Sequence, residues 1–88
     1  MKPDPFDEVG RLIETANRPF PVTLARRQIL RAASRAPVTS ELADAVDRLN
    51  RAILALAEVI DTIRTDPVYA RHDALCALAR LRILCRGG

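Results

Sequence analysis

Apolar residues return every third and fourth position from Leu42 onward without a break: Leu42, Val46, Leu49, Ile53, Leu56, Ile60 and Ile63. Such spacing marks one face of a helix rather than a strand, which would alternate. Leucine holds the d positions of a heptad frame at 42, 49 and 56, and β-branched residues hold a at 46, 53 and 60, a distribution suited to helix pairing. The flanking positions change what kind of pairing is expected. An exposed two-stranded coiled coil carries charges at e and g, whereas here g is Ala45, Ala52 and Val59, and e is Ala43, Asn50, Ala57 and Arg64. A face this wide needs more than one neighbour, and small alanines allow close approach. The pattern therefore predicts the buried spine of a compact bundle over about residues 40–64.

Punctuation places three further helices around it. Asp4-Pro5 reads as a cap followed by a proline at the first helical position, where the missing N–H is harmless. Phe6, Val9, Ile13 and Ala16 then form the stripe of the first helix, which Asn17 and the Pro19-Phe20-Pro21 turn bring to an end. A second helix spans about residues 23–35, broken at Ala36-Pro37. Thr39 or Ser40 caps the third, and Glu41 and Asp44 suit its positive end. Asp66-Pro67 repeats the opening device, so only about two residues separate the third helix from a fourth over about 67–86. The expectation is a single all-α domain over residues 1–88: a long central helix in an antiparallel hairpin with a C-terminal helix, and two shorter N-terminal helices.

The fourth helix carries apolar residues on two sides. At about 100° per residue, Tyr69, Cys76, Ala79 and Ile83 gather on one side, and Leu78, Leu81 and Cys85 on roughly the opposite one. One side should meet the central helix; the other should meet the short helices or a second molecule. Leu78, Leu81 and Cys85 are taken as the partner-binding side.

Composition narrows the class. The chain has 88 residues, of which 49% are apolar and 28% charged. That is too hydrophobic for disorder and too interrupted for a membrane span, so a soluble cytoplasmic protein is expected. So small a domain gains from self-association, and a homodimer is expected. Thirteen of its fourteen basic residues are arginine, and alanine is abundant, a bias that GC-rich coding of a bacterial or phage genome would produce. Charge alternates along the chain: residues 21–40 carry +4, 41–66 carry −3 and 67–88 carry +3. Adjacent helices can thus match much of one another's charge.

Candidate chemistry is sparse. Arg27, Arg31 and Arg35 lie at i, i+4 and i+8 opposite Val22, Ala25, Ile29 and Ala32, and form a cationic stripe for a partner. With one tyrosine and two phenylalanines there is almost nothing on which bases could stack, so nucleic acid is the alternative partner rather than the first. His72 and Cys76 share a face at i and i+4 but lack the further ligands that zinc requires, so they are weak candidates and no metal is expected. Cys76 and Cys85 are half a helical turn out of phase and cannot bridge within one helix; buried reduced thiols are expected, with an intermolecular Cys85 bridge as the minor option. No Gly-rich phosphate loop or paired carboxylates appear, and neither an enzyme nor a cofactor is expected. The catalytic alternative would be an anion pocket lined by Arg27, Arg48, Arg51 and Arg71. The function expected from the sequence is a small protein–protein interaction module, a regulator, adaptor or inhibitor acting on a larger protein or complex.

Overall fold

The computed structural model describes residues 5–15, 20–63 and 67–86, and among these all regular structure is helical. Helix α1 spans Pro5–Glu14, α2 Val22–Ala33, α3 Ser40–Glu58 and α4 Val68–Arg86. Pro5 occupies the first helical position of α1, as expected; its cap Asp4, the stop at Asn17 and the cap Asp66 lie outside the described residues. Thr39 is the cap of α3: extended in backbone, it accepts a hydrogen bond at Oγ1 from the Leu42 N–H at 3.1 Å, the arrangement expected of a threonine N-cap. By contrast α2 begins at Val22 with no side-chain cap, held by the Ala25 N–H donating to the Pro21 carbonyl.

The central helix does not run as an α-helix to its end. The last five residues described before residue 64, Val59–Ile63, form a π turn. Val59, Ile60 and Thr62 within it are β-branched, and such side chains lose rotamer freedom against the preceding turn of an α-helix. Ile60 remains buried through the change, so the apolar face continues.

Each helix contacts two others in a ring: α1 packs on α2 and α4, α2 also on α3, and α3 most extensively on α4. Leu42 and Leu84 line one depression and Ala55 and Asp73 another, so α3 and α4 run antiparallel. The core takes in the spine: Leu42, Leu49, Ile53, Leu56 and Ile60 are buried, together with Ala45, Ala52 and Ala57 at flanking positions. Burial of those alanines is what a multi-neighbour face requires and a two-stranded seam does not. Val46 is only partly buried, and Ala43 is exposed, so the face widens toward the g side more than the e side. Val9 and Ile13 from α1, Ala25 and Ile29 from α2, and Ala74, Ala77, Leu78 and Leu81 from α4 complete it. The molecule measures 39 × 30 × 18 Å. A helix with its side chains is about 10–12 Å across, so the least dimension holds about two helix layers. Each helix therefore keeps one side outward.

Candidate interaction surfaces

On α4 the two apolar sides take roles opposite to those expected. Leu78 and Leu81 are buried and Cys85 is half-buried, so this side fixes α4 to the bundle and is not a partner surface. One arc of α4 meets both α3 and α1, because the ring of helices gives it two intramolecular neighbours on the same side. The side left outward carries Tyr69, 90% exposed, Cys76, Ala79 and Ile83, 68% exposed. Ile83 stands in the last turn of α4 with most of its surface turned to solvent.

Between α1 and α4 runs an open groove of about 490 Å³, lined by Phe6, Gly10, Leu75, Leu78, Ala79 and Ile83. A Cβ built at Gly10 would meet Leu78 at 3.5 Å, ordinary contact distance, so the approach of the two helices does not depend on a glycine there. Arg82 lines it as well, paired with Asp7 across the helices and lying 5.8 Å from the centre of the Phe6 ring. That separation is within cation–π range. The apolar stripe of α1 alone does not reveal this groove. Its only sequence signal is Gly10, an isolated glycine within a helical pattern.

Arg27 and Arg31 project from α2, and Arg35 stands just beyond its end; all three are exposed. None pairs with an acidic group among the described residues, and the expected matching by α3 does not reach them. The acidic side chains Asp47 and Asp73 are instead engaged by Arg51 at 3.0 Å and Arg48 at 3.6 Å. Two leucines accompany the stripe, Leu24 at 44% exposure and Leu30 at 61%. The surface is thus cationic and apolar together, which the arginine spacing does not disclose.

The four arginines of the pocket reading are not assembled in one place. Arg48 and Arg51 line a shallow depression with Asp47 and Asp73, whereas Arg27 lines a different one beside Phe20 and Thr23, and Arg71 lines neither. His72 and Cys76 do come together, with Nε2 3.5 Å from Sγ on the exposed side of α4. Among the described residues no group of three or more metal-ligating side chains forms around them. The thiols also differ from expectation: Cys76 is exposed, and Cys85 is only half-buried, its pKa pushed up by desolvation. No described helix is long and apolar enough to cross a membrane. No family model, curated protein or solved structure matches the chain.

Proposed function

We propose that this chain is a small protein–protein interaction module that works as a homodimer and binds a larger protein or complex through the outer face of α2, in the manner of a regulator, adaptor or inhibitor. The observation that carries the reading is the company kept by the arginines. Arg27 and Arg31 stand unpaired among the described residues, with Leu24 and Leu30 exposed alongside. A phosphate backbone rewards positive charge but gives exposed leucines nothing to bury against. An acidic protein surface with an apolar centre rewards both, since desolvated apolar anchors ringed by polar contacts are the usual anatomy of protein interfaces. The GC-rich coding bias suits a bacterial or phage source, and a cytoplasmic setting suits the reduced thiols.

The test compares wild-type protein with the Arg27→Glu/Arg31→Glu double variant, both carrying the same affinity tag, in quantitative capture from the cells that make the chain. A protein retained stoichiometrically by wild type and lost by the folded double variant supports the reading. Duplex DNA titrated at about 50 mM salt supplies the opposite arm: tight binding that weakens steeply with salt would replace the protein partner by nucleic acid.

A further inference from the structure

Tyr69, Cys76 and Ile83 recur on the outer side of α4 at intervals of seven, with His72 and Ala79 between them, and all five lie outside the buried core. Alternating steps of three and four describe a helix-pairing seam. The bundle leaves that seam uncovered. It is also symmetric in kind: Cys76 stands midway between two large apolar residues, and an isologous interface requires a patch that complements itself under a two-fold rotation.

We propose that this seam is where the chain meets a second copy of itself, α4 against α4 in antiparallel orientation, with the two-fold axis passing beside Cys76. The proposal rests on the homodimer reading above and specifies the surface that makes the dimer. Charge decides the orientation. Asp73 and Arg80 flank the seam seven residues apart; Arg80 has no ion-pair partner among the described residues, and Asp73 is held only by a largely exposed Arg48 at 3.6 Å. In a parallel pair the flank carrying Asp73 and Arg80 would face the second copy's opposite flank, Val68 and Leu75, and neither charge would find a partner. Antiparallel helices set Asp73 against the second copy's Arg80, twice.

That pairing also fixes the register. With Asp73 opposite Arg80, each Cys76 lies within one residue of its counterpart, roughly 1.5 Å along the axis. Helix axes pack about 8–10 Å apart and each Cα lies about 2.3 Å from its axis, so facing Cα atoms come within about 3.4–5.4 Å. This range overlaps the span a disulfide bridges. Cysteine and alanine at the centre permit such an approach. At each end Tyr69 comes beside the second copy's Ile83, whose flank opens into the groove over Gly10 and Ala79 and offers the phenol ring a seat. From Tyr69 to Ile83 the seam is roughly 21 Å long. Even with the α1 shoulder it falls at the small end of stable interfaces, so the dimer should dissociate in the micromolar range.

Sedimentation equilibrium from low micromolar to several hundred micromolar protein, paired with copper–phenanthroline oxidation of the two thiols, tests this. A micromolar dimer is expected, in which Ile83→Asp weakens association at least about tenfold. Either single change, Asp73→Arg or Arg80→Asp, should also weaken it, and the two together should restore it. Cys85→Ser protein should form a covalent dimer on oxidation, each thiol losing one proton to solvent and one electron to the copper complex, and Cys76→Ser protein should not. Ile83 and Arg80 face solvent in the monomer, so circular dichroism should show each variant folded. A dimer indifferent to Ile83→Asp, with no Cys76 cross-link, overturns the proposed surface and leaves the homodimer reading standing. A protein still monomeric at the highest concentration overturns both.

Discussion

Ile53 sits at the middle of α3 and is fully buried, while its neighbour Leu54 is 48% exposed. The two share helix, sequence context and carbon count, so they separate packing from local propensity. Truncating Ile53 to alanine removes three carbons, about 2.4 kcal/mol at roughly 0.8 kcal/mol per methylene. An incompletely collapsed cavity adds to the loss, and alanine's better helix propensity offsets a few tenths, for a net of about 2–4 kcal/mol. A domain of this size has about 4–13 kcal/mol in all, so the variant forfeits a large part of its stability. Urea unfolding followed by circular dichroism at fixed protein concentration should show the midpoint falling by about 2 M, given a slope near about 1–1.5 kcal/mol per molar. Leu54→Ala should move it by less than about 0.5 M, because surface truncations cost within about 0.5 kcal/mol. Equal shifts for the two variants would refute the view that α3 is a buried spine.

Other consequences are smaller and independent of the partner. Thr39→Ala removes the oxygen that receives the Leu42 N–H and should cost about 1 kcal/mol in the same urea assay, whereas Thr39→Ser or Thr39→Asp should retain most of it. Gly10→Ala should stabilise by up to about 1 kcal/mol, since alanine is the better helix former and a Cβ there meets only ordinary contact. Titration with a disulfide reagent at mildly alkaline pH should show one fast thiol, Cys76, and one slow one, Cys85, whose pKa is raised by desolvation, because the thiolate is the reacting form. The same shift sets a sign for stability. The folded state holds the Cys85 proton more tightly than the unfolded chain, so this contribution is present below the ordinary thiol pKa and is lost as pH rises through the folded value.

Periodicity read α3 well because its apolar residues fall on one side only, and a single amphipathic face has a single way to be buried. The α3 cap was legible to within one residue, Thr39 or Ser40, for a similar reason: a cap is a local hydrogen bond, satisfied within three residues. Helix α4 is different. Its apolar residues lie on both sides, so the pattern offers two equivalent burial choices, and only the positions of α1 and α3 together select the side of Leu78 and Leu81. The π turn at Val59–Ile63 escaped because a five-residue widening leaves the buried row unchanged at Ile60. The groove over Gly10 and the exposure of Leu24 and Leu30 are products of tertiary packing, and a linear pattern carries no trace of which neighbours stop short of covering them.

That α2 carries the partner is tested most directly by placing the photo-crosslinking residue benzoylphenylalanine at position 30 and irradiating cells that make the protein. Leu30 is 61% exposed, so the substitution leaves the core intact. A single cross-linked product containing one other protein, lost when Arg27 and Arg31 are reversed to Glu, is the predicted result. Cross-linking to nucleic acid, or a partner protein captured from position 83 and never from position 30, would contradict it.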